Sequence, residues 1–302
     1  MIITVTVNIF VGAKVVQLSI RGAHFWRIGS MRKSCLIFGM GGLLAACATA
    51  PLEQGGSLRS YSTLKPSDGI VTRSLLSLNK EDVLAAKTVK IIPTKFSAPA
   101  ARVPLTATQQ RLVSNAVDRS LCAGLSHRFE VIDGSHPADL TVQAVITRLT
   151  PTDIAAVGVS KGASVAKTIL LPGVPVPIPR IPIGLGNLSL EAEALGRDGE
   201  QKAAMVWGRG ANAFGGRMSE EGDAYVLATA FGEDFSKLLV TGATPFGGSP
   251  TLPPADSLGP LLGGKHKYPA CETFGRFPGL VGVLGDQLAL PPEWTDKGAI
   301  TQ

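Results

Sequence analysis

Leu188-Ser189-Leu190-Glu191-Ala192-Glu193-Ala194-Leu195-Gly196, then Arg197-Asp198-Gly199-Glu200, then Gln201-Lys202-Ala203-Ala204-Met205-Val206-Trp207 is the stretch that decides the fold. Two runs of alternating character flank Asp-Gly, the preferred dipeptide of a two-residue hairpin turn. With Asp198-Gly199 as that turn, Leu190 falls opposite Trp207 and Ala192 opposite Met205, and these four side chains share a core face. Glu191 and Glu193 then point to the other face, where alternating charges ordinarily meet water.

The elements on either side complete a layer. Ser219-Glu220-Glu221 opens a helix with acids where the helix dipole favours them. Its apolar stripe is Ala224, Leu227, Ala228, Phe231, Phe235 and Leu238, and Gly242 ends it. Upstream, Thr106-Ala107-Thr108-Gln109 is a capping box. The helix it starts carries Leu112, Val113, Ala116, Val117, Leu121 and Leu125 at spacings of three and four. Leu140 to Leu149 alternates as a half-buried strand. Phe129 to Ile132 and Thr88 to Ile92 are shorter strands, the latter stopped by Pro93, which has no ladder donor. The expected fold is α+β: a small mixed or antiparallel sheet of about five strands with two helices packed on one face. Pro172 to Pro182 is a proline-rich, apolar insertion suited to extended conformation and to partner or membrane contact. Residues 243–302 form a tail rich in Gly and Pro, able to hold only short elements.

The front of the chain is an address. Arg32 and Lys33 follow Met31, an apolar stretch runs from Leu36, and small residues lead to Leu44-Ala45-Ala46-Cys47. This is the three-part plan of a secretory signal, and it is too short to span ~30 Å of hydrocarbon. Its end resembles the lipobox of bacterial lipoproteins, which implies cleavage between Ala46 and Cys47 and acyl chains, palmitate among them, on Cys47. At ~0.8 kcal/mol per buried methylene, two or three chains make a lasting anchor. Ala48, in place of Asp, resembles the sorting signal for the outer membrane, facing the periplasm. Residues 31–46 are thus read as signal peptide, 47–60 as a flexible lipidated tether and 61–242 as the periplasmic domain. Residues 1–30 are read as an extension upstream of the true start, or alternatively as a genuine membrane or strand segment.

Charge excludes one class of partner. Of the 29 basic residues, Lys14, Arg21, Arg27, Arg32 and Lys33 precede Cys47, where no acid occurs. The remainder is nearly balanced, so no clustered basic surface for nucleic acid is present. Of the 4 cysteines, Cys35 leaves with the signal and Cys47 carries lipid. Cys122 and Cys271 remain, an expected disulfide in an oxidising compartment, with two reduced thiols as the alternative. Such a bridge would fasten the tail to the body and constrain the unfolded chain by about 4–5 kcal/mol.

Chemistry is sparse. Gly158-Val159-Ser160-Lys161-Gly162 matches the nucleophile elbow of serine hydrolases, with Asp256 and His266 downstream in the right order. The alternating strand-helix scaffold and glycine-rich oxyanion loop of that class are missing. Ser62-Thr63-Leu64-Lys65 and Ser164-Val165-Ala166-Lys167 match S-x-x-K without its companion elements. Glu191 and Glu193, ~7 Å apart on one strand face, suit paired carboxylate chemistry but are read as a solvated face. The histidines (His24, His127, His136, His266) make no metal-ligand spacing, and Gly184-Leu185-Gly186 lacks the third glycine of a dinucleotide loop. No metal and no cofactor are expected.

Ser60-Tyr61-Ser62-Thr63-Leu64, Arg180-Ile181-Pro182-Ile183-Gly184-Leu185-Gly186 running into Leu190-Glu191-Ala192-Glu193, and Cys271-Glu272 with Leu290-Pro291-Pro292-Glu293-Trp294 carry a resemblance. They are similar to segments of the bacterial lipoprotein family known as domain of unknown function 3313, over about residues 58–300. The resemblance implies a lipidated, exported protein and brings no catalytic residue with it. The expected role is a non-enzymatic binding or assembly module, with an envelope protein or a second copy as partner. The alternatives are a serine hydrolase using Ser160 and a carrier of lipid or another small ligand.

Overall fold

The computed structural model describes the backbone of residues 5–11 and 14–20, and residues 50–134, 136–155, 184–212, 217, 219–247 and 259–296. The chain divides into two compact units, residues 1–45 and 46–302. In the first, β1 (Val5–Val11) and β2 (Lys14–Ile20) pair antiparallel, with Val5 opposite Ile20.

The second unit is built on a seven-stranded sheet. Its strands are β3 (Lys65–Pro66), β4 (Thr72–Leu78), β5 (Thr88–Phe96), β6 (Glu130–Val131), β7 (Leu140–Thr150), β8 (Asn187–Gly196) and β9 (Gln201–Gly210). Their order is β3-β4-β9-β8-β7-β5-β6. β5 runs parallel to β6 and β7, and the other pairs are antiparallel. The class is α+β as expected. All five expected strands are present, and β3 and β4 add an edge the sequence reading lacked.

The central register is the one the alternation requires, with Leu190 opposite Trp207 and Ala192 opposite Met205. The turn differs. The Gly196 N–H donates to the Glu200 carbonyl at 2.9 Å, so three residues close the loop, not two. Gly199 takes φ +75°, the left-handed position of a three-residue hairpin loop. A bulge between Leu195 and Ala194 returns the strands to register. Pro93 also fails to stop its strand. The pairing of β5 with β7 slips between Ile92 and Lys95, and the Thr94 N–H leaves the ladder for the buried Asp118 carboxyl at 3.0 Å.

α1 (Lys80–Ala85) is short; α2 (Ala107–Leu125) and α3 (Gly222–Thr241) are the two expected helices. The capping box of Thr106 and Gln109 is formed, and Gly242 caps α3 in the left-handed region. They lie side by side in one direction, Gln109 reaching Glu221 at the start and Ser120 bonding the Thr229 carbonyl further on. Both stripes pack on the Leu190, Ala192, Met205 and Trp207 face. There Trp207 meets Phe231 edge-on at 5.6 Å and donates its indole N–H to Asp234 at 2.8 Å, so its polar edge is satisfied inside the core.

The tail supplies a further layer over the outer side of these helices. It holds a 3-10 turn (Pro269–Phe274), α4 (Gly279–Gln287) and α5 (Pro292–Thr295). Its packing buries Arg119 and Cys122 of α2, whereas Asp118 is covered through Thr94 of β5 and Ser120 through the Thr229 carbonyl of α3.

Candidate functional site: a strap held by two buried glutamates

The sheet face opposite the helices is covered. Residues 50–64 run along it beside β8 and β9, and Leu58 packs there against Ala204 and Val206. The flexible tether expected before residue 60 is therefore packed on the sheet at Ala50 and bonded to it from Pro51 onward. The expected wet face of Glu191 and Glu193 is corrected with it, since both side chains are essentially fully buried.

Burying two carboxylates is unfavourable unless each is paired or hydrogen-bonded. Glu191 accepts from the Gly55 N–H at 2.8 Å, the Ser57 N–H at 3.1 Å and the Ser57 hydroxyl. The Tyr61 hydroxyl lies 2.8 Å from both of its oxygens. Glu193 accepts from the Arg59 N–H at 2.9 Å and the Gln143 amide at 2.6 Å. Gln201 exchanges two hydrogen bonds with the backbone of Ser60, and Ser189 donates to the Pro51 carbonyl. Five strap residues, Pro51, Gly55, Ser57, Arg59 and Ser60, are thus fixed through their main chain. The period-two geometry of β8 places both glutamates on one face, matching the spacing of the amides they hold. Gly55 lets the backbone come this close, because a Cβ there would sit 2.5 Å from the Thr147 methyl. Burial, then the hydrogen bond to Glu191, raises the Tyr61 hydroxyl above its ordinary pKa, so it remains a donor at neutral pH.

Chemically, these carboxylates serve as acceptors for the strap. The paired-carboxylate arrangement seen in the sequence is occupied by main-chain and hydroxyl donors.

Cys122 and Cys271 form a disulfide, with Cα atoms 5.8 Å apart across 149 residues. A second attachment, with no clear sequence signal, stands beside it. Arg119 and Asp296 form a buried ion pair, and the Tyr225 hydroxyl donates to Asp296 at 2.8 Å. Arg217, also buried, reaches Asp286 and Thr295. Arg119 sits between apolar residues of the α2 stripe, and its partner lies 177 residues away.

Ala46, Cys47, Ser160, Asp256, the second S-x-x-K match and the Pro172–Pro182 insertion lie outside the described residues. Ser62 of the first S-x-x-K match bonds Ser60, and Lys65 is exposed on β3. The His266 ring nitrogen faces the Gly275 carbonyl at 2.9 Å. His136 pairs with Asp133 beside a surface groove of about 580 Å³ that Ile91, Val131 and Phe274 also border. Among the described residues, no three His, Cys, Asp or Glu side chains gather as a metal site, and no helix is long and apolar enough to cross a membrane.

The family described as "Protein of unknown function (DUF3313)" matches residues 53–235. The match covers more than half of the chain, from within the strap into α3, and the chain belongs to this family. No curated protein matches it in sequence. Among solved structures it is similar to the PelC dodecamer from Paraburkholderia phytofirmans and to a single-substitution variant of that dodecamer. Each comparison gives 11% identity and a TM-score of 0.31, over 59% of this chain and 96% of the other.

Proposed function

We propose that this DUF3313 protein is a lipid-anchored protein of the bacterial cell envelope, attached through Cys47 to the outer membrane and facing the periplasm. Its α+β domain serves there as a non-enzymatic binding or assembly module. The observation that carries the reading is the docked strap. Three residues after the lipobox cysteine, Ala50 is already buried and the following backbone is bonded to the sheet. An anchor at Cys47 would hold the domain close to its membrane, not on a loose leash. The Cys122–Cys271 bridge supports an oxidising compartment. The occupation of Glu191 and Glu193 by the strap favours a structural role for the most conspicuous acid pair over a catalytic one.

The partner is an envelope protein or a second copy of this chain, with the Pro172–Pro182 insertion as the segment to test first. The experiment is expression in a Gram-negative bacterium with mass spectrometry of the amino-terminal peptide. Acylated Cys47 as the first residue, and loss of membrane association in Cys47→Ala, are the expected results. A bare thiol with Met31 still attached would overturn the anchor. Crosslinking in cells that yields only monomer would overturn the binding role. Fluorophosphonate labelling that disappears in Ser160→Ala would replace it with a hydrolase.

A further inference from the structure

Helix α4 is built inside out. Its sequence is Gly279-Leu280-Val281-Gly282-Val283-Leu284-Gly285-Asp286-Gln287, and the residues it buries are Gly279, Gly282 and Gly285. A Cβ at Gly285 would lie 2.6 Å from the Thr295 methyl, so the helix approaches the body along its glycines. The large side chains face out. Leu280, Val281, Val283, Leu284, Leu288 and nearby Trp294 each keep more than half of their surface exposed. The single charge of the helix, Asp286, is tied to Arg217. Apolar patches of this kind are uncommon on a free soluble surface.

The position of the patch indicates what covers it. The strap begins at the end of the sheet where Ser189 pairs with Gly208, since Pro51 bonds Ser189 and the Ala50 carbonyl lies against Gly208. At that same end Gly186 bonds Asp223 in the first turn of α3, and Thr152 bonds the Glu220 carbonyl. Arg217, just ahead of α3, holds the last turn of α4 through Asp286 and the end of α5 through Thr295. The three residues from Cys47 to Ala50 reach at most ~11 Å. On the lipid-anchor reading, on which this inference rests, the bilayer therefore lies at the end of the domain that carries Leu284, Leu288 and Trp294.

We propose that the outward face of α4, with Leu288 and Trp294, is a lipid-contact surface resting on the same bilayer that holds Cys47. Aliphatic side chains enter the acyl boundary, and the indole, apolar with one N–H donor, suits the headgroup level.

The test uses the full chain, purified after expression in a Gram-negative bacterium and carrying Trp26→Phe. It is mixed with vesicles of phosphatidylethanolamine and phosphatidylglycerol bearing brominated acyl chains. Trp207 is buried in the core, so quenching should come from Trp294. The expected result is quenching that disappears in Trp294→Phe and falls at least several-fold in Leu284→Asp with Leu288→Asp. Both positions are exposed, and an unchanged circular dichroism spectrum confirms the fold. Acylated, vesicle-bound protein without Trp294 quenching would overturn this inference and leave the anchor standing. A bare Cys47 with quenching would overturn the anchor and support the surface; a bare Cys47 without quenching would overturn both. Concentration-dependent self-association abolished by Leu284→Asp, without quenching, would assign the face to a second copy and overturn the lipid contact.

Discussion

The hydroxyl of Tyr61 lies 2.8 Å from both carboxylate oxygens of Glu191, although 130 residues separate them in sequence. The contact joins the strap to the central strand β8 at a site where Gly55 and Ser57 donate to the same carboxylate.

Removing that acceptor should free the strap before it unfolds the domain. Glu191→Ala leaves two amides and two hydroxyls without their partner, and an unmet buried donor costs ~1–3 kcal/mol. Undocking lets water satisfy them, which limits the loss. We expect amide exchange at Gly55 and Ser57 to accelerate by on the order of 100-fold while the α2 and α3 amides stay protected. Tyr61→Phe should cost only about 1 kcal/mol by urea denaturation.

The tail attachment at Arg119 predicts an asymmetry. Arg119→Met leaves Asp296 buried without its cation and should destabilise by about 3–5 kcal/mol. Pairing it with Asp296→Leu should recover much of that loss, because two apolar groups leave no unpaired charge behind. A double-mutant cycle by urea denaturation measures the difference.

Cys122→Ser with Cys271→Ser should lower stability by about 4–5 kcal/mol, through the entropy returned to the unfolded chain. The folded tail should stay docked, because Asp296 and Asp286 still reach Arg119 and Arg217. Protease resistance of residues 276–296 under reducing conditions checks this. Early cleavage there would mean that the bridge alone holds the tail.

Burial raises the Asp118 carboxyl from an ordinary 3.8 to about 7, despite its hydrogen bonds from Thr94. The folded state therefore keeps a proton that the unfolded chain has lost between those values. The corresponding stability is fully present below the unfolded value and is lost as pH rises through about 7. Partial burial also raises Asp234, which acts in the same direction. Thermal unfolding followed between pH 5 and 8 should show stability falling with pH, and Asp118→Asn should flatten part of that slope.

The elements legible in the sequence are those whose burial pattern is local. The register of Leu190 with Trp207 follows from strand alternation around a turn, and the stripes of α2 and α3 from three-and-four spacing. The Cys122–Cys271 pair emerges once Cys35 and Cys47 are set aside. β4 was hidden because Thr72-Arg73-Ser74-Leu75-Leu76-Ser77-Leu78 does not alternate cleanly, being an outer strand with mixed burial. Burial of Glu191 and Glu193 was not legible, because it depends on a segment 130 residues away whose own sequence resembles a linker. For α4 a signal did exist, in glycine at every third position. It reads as a helix only when close packing against Thr295 and Arg217 gives those glycines a partner.

The order in which the strap meets the sheet has a mechanical consequence. Pro51, Gly55, Ser57, Arg59 and Ser60 are attached one after another, so tension applied ahead of Ala50 and away from the sheet would break them singly, as in opening a zipper. Each rupture lengthens the lead by a few ångströms, and complete peeling to Leu64 would yield on the order of 50 Å of slack. The disulfide-stapled body would stay folded while the strap peels, so the strap lengthens the lead under load at a resistance set by Ser189, Glu191, Glu193 and Gln201.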